Sequence, residues 1–131
     1  MRDSERDALI GSRLEKARED LNSAIRELEA NALRSSASRS YYSIFHAMRA
    51  VLANEGFDAK KHTGIISAFR QRYIKVGIFP PELSDTIQSA FDNRGKSDYG
   101  DFAVITKEEA TQQVENAKTF LAAVEAYIAT L

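Results

Sequence analysis

The sequence has 131 residues and no cysteine. This absence excludes disulfide frameworks, thiolate nucleophiles, zinc–cysteine sites and cysteine-ligated iron–sulfur clusters. Histidine is scarce: His46 and His62 are the two in the chain, too few for a histidine-based metal site. The Glu-x-x-His pattern of di-iron bundles does not occur either, so neither metal nor cofactor is expected. Gly-rich phosphate loops, HExxH, EF-hand loops and GxSxG elbows are all missing. No segment has the apolar length of a membrane span, and the charged start, residues 1–13, lacks the apolar run of a signal peptide. A cytoplasmic protein that does not enter a membrane is the expectation. Internal repeats, low-complexity tracts and strand-like alternation are also missing.

What remains is an ordinary globular composition, 44% hydrophobic and 28% charged, of a length suited to one domain over residues 1–131. A chain of this size buries roughly two-thirds of the surface it exposes when unfolded, enough for a core without staples. The net charge of −1 is unevenly spread. Residues 31–76 carry 8 basic and 2 acidic side chains, and residues 77–131 carry 4 basic and 9 acidic. A basic middle between acidic flanks is either an anion-binding face or one helix pair complementing its neighbours.

Periodicity predicts an all-α antiparallel bundle of four to five helices. The first, about Ser4–Ala30, repeats Ile10, Leu14, Ala17, Leu21, Ala24 and Leu28 at helical spacing. Ser35, Ser36 and Ser38 offer caps for the second, about Ser36–Asn54, whose inner face reads Tyr41, Ile44, Phe45, Met48, Val51 and Leu52. A third is expected over Lys61–Val76 and a fourth over Pro81–Asn93, closed by Gly95. Ser97–Ile105 reads as a loop. Thr106-Lys107-Glu108-Glu109 is a capping box that opens a last helix reaching about Thr130. The long first and last helices are natural bundle partners and candidates for a dimer seam.

Candidate functional residues lie mostly off the core stripes. At about 100° per residue, Arg39, Tyr42, His46 and Arg49 share a sector about 80° wide on the outer side of the second helix. Two guanidiniums, an imidazole and a phenol there could hold a phosphate and a stacked base. A structural role is equally open: Tyr42 and His46 half-buried against a neighbouring helix, with the arginines reaching solvent. Lys60-Lys61-His62-Thr63 sits at a helix start, where free amides favour an anion, or else forms a basic turn with a threonine cap. Arg94, Lys96 and Tyr99 cluster at the exit of the fourth helix, where Arg94 could reach a phosphate or merely pair with Asp98 or Asp101.

Taken in order, Ser40-Tyr41-Tyr42-Ser43-Ile44-Phe45-His46-Ala47-Met48-Arg49-Ala50-Val51-Leu52, Gly56, Lys61-His62-Thr63-Gly64-Ile65-Ile66 with Phe69, and Arg94-x-x-x-Asp98-Tyr99 resemble the HEPN family. The likeness is to its short stand-alone branch, often encoded beside a minimal nucleotidyltransferase, and covers about residues 35–125. The resemblance implies a dimeric bundle with its site in the cleft between subunits. It also implies a role in toxin–antitoxin or phage-defence modules, where many members are metal-independent ribonucleases. Their signature is an arginine on the scissile phosphate and, four to six residues on, a histidine for the 2′-hydroxyl proton. Arg94 matches the arginine, but Tyr99 stands where the histidine belongs and no histidine follows. A phenol with an unperturbed pKa of about 10 is a poor base at neutral pH. The resemblance therefore implies a largely non-catalytic subunit that binds nucleotide or RNA. Arg94, Tyr99 and His46 would stand at the reactive centre, with Arg39, Tyr42, Arg49, Lys61, His62 and Lys96 on the ligand. The alternatives are a ribonuclease toxin with a substitute acid–base group, and a plain dimeric scaffold.

Overall fold

The structure, a computed structural model, describes residues 4–99 and 104–131, apart from the side chains of 97–99. Among the described residues there are five α-helices and no strand. They are α1 (Ser4–Glu29), α2 (Leu33–Ala53), α3 (His62–Phe69), α4 (Glu82–Tyr99) and α5 (Lys107–Ile128). A π-helical turn, Arg70–Ile74, continues α3. The all-α bundle expected from periodicity is the observed fold.

The centre of the bundle is α2, against which α1, α3, α4 and α5 all pack. Its composition explains why. Tyr41, Ile44, Phe45, Met48, Val51 and Leu52 are buried, and so are the small residues Ala37, Ser40, Ser43, Ala47 and Ala50. Small side chains let α1 approach closely, with Ala17 and Ala24 fully buried in the seam. Two buried serines pin that seam: Ser36 Oγ donates to the Ala24 carbonyl at 2.7 Å, and Ser43 Oγ to the Ala17 carbonyl at 2.8 Å. Burying a hydroxyl is tolerable only with such a partner. The long helices α1 and α5 also meet, through Arg18 Nε donating to Glu125 Oε2 at 2.7 Å.

The expected serine caps are thus corrected: no side chain caps α2, which follows Ala32. The break before it is made by Asn31, at φ 62°, in a left-handed closing turn. There the Ala32 amide donates to the Glu27 carbonyl and the Asn31 amide to that of Leu28. Gly56, at φ 73°, ends α2 by the same geometry, with the Phe57 amide on the Leu52 carbonyl. A second correction concerns α4, which runs six residues past Asn93 and includes Ser97–Tyr99 of the expected loop. Gly95 does not take a left-handed φ and so does not end the helix. Glycine inside a helix costs only about 1 kcal/mol, which the flanking turns outweigh.

The capping box at the start of α5 is present. The Glu109 amide donates to Thr106 Oγ1 and the Thr106 amide to Glu109 Oε1, each at 3.0 Å. Thr106→Ala is expected to lower stability by about 1 kcal/mol, visible as a fall of a few degrees in Tm by circular dichroism.

Candidate functional site

Three elements converge beside the tyrosine pair of α2. Tyr41 and Tyr42 point in different directions because successive helical residues are rotated by about 100°. Tyr41 is buried, and Tyr42 is half-buried. The first residue of α3 is His62, and the turn leading into it is tight: a Cβ on Gly64 would fall 3.0 Å from the Ala59 side chain. From α4, Arg94 reaches back across both phenol rings.

The contacts are specific. Tyr41 Oη lies 2.7 Å from His62 Nδ1. Burial is the main influence on the Tyr41 phenol and pushes it up to about 12, against a smaller opposing effect of Arg94. The hydroxyl is therefore protonated, and in either tautomer of the neutral ring it engages Nδ1. The His62 ring stacks on Phe45 with centroids 4.0 Å apart. Burial first, then Arg94 and Arg49, lower its pKa, which keeps the imidazole neutral at pH 7. Arg94 Nη2 donates to Tyr42 Oη at 3.1 Å. Its guanidinium carbon stands 5.4 Å from the Tyr41 ring centroid and 5.7 Å from that of Tyr42, within cation–π range. A guanidinium, a phenol and a neutral imidazole thus share one half-buried corner. Such a corner can bind a phosphate oxygen by charge and stack a base.

The rest of the expected stripe is divided. Arg39 pairs with Asp20 of α1 at 3.4 Å, its side chain half exposed. Arg49 and the buried Arg13 both hold Asp58 Oδ2, each at 3.2 Å. Burial alone would raise the Asp58 pKa. The Ala59 amide and the two arginines outweigh it, and the carboxyl lies below its usual value. One carboxylate thus serves two guanidiniums, and that of Arg49 stands 6.0 Å from the Phe45 ring.

On the far side of Tyr42, His46 lines a cavity of about 290 Å³ with Lys16, Glu19, Asp20 and Arg39. Its Nδ1 is buried with no hydrogen-bond partner among the described residues. Its Nε2 is 3.7 Å from Asp20 Oδ2, too long for a hydrogen bond, and Arg39 also claims that carboxylate. Burial and the cations Arg49 and Lys16 push the His46 pKa down to about 4. The ring is neutral at pH 7, and the pair with Asp20 is not an ion pair there.

A pH prediction follows from that burial. Unfolded, His46 takes its proton near 6.5; folded, near 4, so folding is opposed by the proton it lacks. Stability is complete above pH 6.5 and falls as pH drops toward 4, by up to about 3 kcal/mol. Asp20 works in the opposite sense, because burial raises its carboxyl above the unfolded value. Urea unfolding at pH 7.5 and 4.5 should show the loss in the wild type and a flatter dependence in His46→Gln.

The remaining expected residues lie at the margins. Lys61 is the exposed residue preceding α3, and Thr63 makes no cap there, so the α3 start is not closed by a side chain. Lys96 pairs with Glu109 of α5 at 3.1 Å, while its carbonyl accepts from Arg34 Nη2. The backbone of Tyr99 closes α4. Its side chain, like those of Asp98 and Asp101, lies outside the described ones. The structure brings together Arg94, Tyr42 and His62, sets His46 behind Tyr42, and leaves Arg39, Arg49, Lys61 and Lys96 in other contacts. It adds Tyr41 and Phe45, which periodicity assigns to the core alone, and Phe91, whose ring meets Tyr41 edge-on at 6.1 Å. Among the described residues no three potential metal ligands cluster, and no helix is long and apolar enough to cross a membrane.

Known proteins resemble this chain in sequence or in fold. A UPF0332 protein of Thermotoga maritima is 30% identical over 98% of this chain and 97% of its own. A protein of Methanocaldococcus jannaschii named "Putative toxin MJ0142" is 30% identical over 88% of this chain and 78% of its own. The crystal structure of TT1696 from Thermus thermophilus superposes with a TM-score of 0.76 at 18% identity, over 89% of this chain and 96% of that one, a likeness of fold. The model of the HEPN domain matches residues 10–127, and the chain belongs to that family.

Proposed function

We propose that the chain is the HEPN component of a nucleotidyltransferase-linked module of the toxin–antitoxin or defence type. In this reading it binds nucleotide or RNA at Arg94 as a largely non-catalytic subunit and works as a homodimer. The observation that carries the reading is the state of the two histidines around Arg94. His62 is tied through Nδ1 to the core phenol of Tyr41 and stacked on Phe45, so its ring is committed to the packing of α2. His46 buries Nδ1 and turns Nε2 toward Asp20. Neither stands free as a general base, whereas Arg94, oriented by Tyr42, presents positive charge and donors to an anion.

A second reading, a ribonuclease toxin, is favoured by the toxin names of the Methanocaldococcus jannaschii relatives. It needs Tyr99 or one of the two histidines to take the proton. One assay separates the two. Wild type and Arg94→Ala are incubated with total RNA in EDTA, while nucleotide binding is followed by thermal shift. Intact RNA in both, with a nucleotide-dependent shift only in the wild type, supports the binding subunit; co-purification with a nucleotidyltransferase extends it. RNA cleavage lost in Arg94→Ala supports the ribonuclease. Neither cleavage nor binding would leave a scaffold.

A further inference from the structure

Between α3 and α4 lies a groove of about 490 Å³. The buried Ile66 and Ile87 and the half-buried Phe91 give it an apolar floor, and Ser67, Arg70 and Lys75 stand around it. The π-helical turn shapes one wall: the Lys75 amide donates to the Arg70 carbonyl at 2.8 Å, five residues back. Wide turns of this kind often mark functional sites.

The charge in this groove is not internally balanced. Arg70 Nε donates to Ser84 Oγ at 3.0 Å, and Nη2 to the Ser84 carbonyl and Gln88 Oε1, both at 3.1 Å. All three acceptors are neutral. Among the described residues neither Arg70 nor Lys75 pairs with a carboxylate, unlike Arg13, Arg18, Arg39, Arg49, Arg72 and Lys96.

Two residues of the groove border the Arg94 corner. They are Thr63, the neighbour of His62, and Phe91, whose ring meets that of Tyr41 and which lies three residues before Arg94. Gln88, which Arg70 holds, precedes Arg94 by six residues, or about 9 Å along the helix. Cationic points at Arg94 and at Arg70 and Lys75, with Phe91 bordering both, match the order of a nucleic-acid strand: phosphate, base, phosphate.

We propose that this groove is a second nucleotide subsite for single-stranded RNA. The base adjoining the phosphate at Arg94 lies on Phe91, and the following phosphate meets Arg70 and Lys75. The inference rests on Arg94 being a phosphate site, so the test separates the two. AMP probes the Arg94 corner alone, and a labelled RNA tetranucleotide probes both positions, in fluorescence anisotropy and competition. The wild type is expected to bind the tetranucleotide at least about tenfold more tightly than AMP. Lys75→Glu and Ser67→Glu, both at exposed positions, weaken the tetranucleotide about tenfold and leave AMP binding and the circular dichroism melt unchanged. In Lys75→Ala, the slope of log affinity against log salt falls by about 0.7, one phosphate contact on a single strand. Tetranucleotide affinity equal to that of AMP, or unaltered in both glutamate variants, overturns the groove proposal while AMP binding upholds Arg94. Failure of the wild type to bind either ligand overturns both.

Discussion

Replacing Arg94 with alanine is expected to weaken nucleotide or short-RNA binding by about 10- to 100-fold. Charge-assisted hydrogen bonds contribute roughly 1.5–3 kcal/mol each, and every 1.4 kcal/mol is a factor of about ten in affinity. The effect should fall on the dissociation rate more than on association, because the guanidinium acts at short range in a half-buried corner. Calorimetric titration with AMP at fixed salt measures the loss directly. Arg94→Lys is not expected to restore it. An ammonium cannot lie over both phenol rings while also donating to Tyr42 Oη, as the planar guanidinium does. Tyr42→Phe makes a finer control: it leaves the charge and removes the hydroxyl that orients it, so affinity should fall several-fold rather than a hundredfold. A variant series in which alanine, lysine and the Tyr42 control all bind like the wild type would sink the assignment of Arg94 to an anion.

The orientation of Arg94 also explains why the fold matters to this chemistry. The guanidinium sits within cation–π range of two rings whose helix is the most buried in the bundle, so its position is inherited from the core. His62 depends on the core in the same way, through Tyr41 Oη and the face of Phe45. A site built on packed helices is held more sharply than one on loops. It also keeps its imidazoles neutral: the burial that fixes them disfavours their charged forms, leaving positive charge to Arg94.

The bundle was legible because its signals are local and repeated. Ile10, Leu14, Ala17 and Ala24 of α1, and Ala110, Val114, Ala117, Leu121 and Val124 of α5, are buried as their spacing predicts, and Thr106 caps as its motif predicts. Boundaries were less legible where residue chemistry admits two uses. Ser36 could cap a helix end or pin two helices, and burial against Ala24 decides for the pin. Gly95 could close a helix or be carried within one, and its φ decides for the latter. The functional corner was legible in part. Arg94, Tyr42 and His62 carry chemistry on their own types, so a motif finds them. The role of Tyr41 is hidden by its inward position, because periodicity cannot show that a core phenol ends on an imidazole 21 residues away. The α3–α4 groove is less visible still, since its cations come from the π-helical turn and the residue after it, and its aromatic ring from α4.

The second large effect concerns that dependence on the core. Phe69→Ala is expected to lower stability by about 3–5 kcal/mol, the range for deleting a fully buried aromatic ring. Phe69 has no exposed surface and stacks with Tyr73, Phe79 and Phe120 at centroid distances of 5.7, 5.3 and 5.6 Å. It thereby ties α3 and the π-helical turn to α5. Alanine would leave an apolar cavity between three other rings, none of which can collapse into it without losing its own stacking. Small domains have only about 5–15 kcal/mol in total, so a loss of this size leaves the variant marginal and calls for urea unfolding at low temperature. Phe69→Leu, which keeps most of the volume, should cost only about 1–1.5 kcal/mol. The two variants also probe the site, because α3 carries His62 and one wall of the groove. Where Phe69→Leu remains folded, loosening of α3 is expected to weaken tetranucleotide binding more than AMP binding, since Arg94 stands on α4 and the groove needs both helices. Equal weakening of the two ligands would place the groove and Arg94 on one rigid unit, with no separate dependence on the α3 wall.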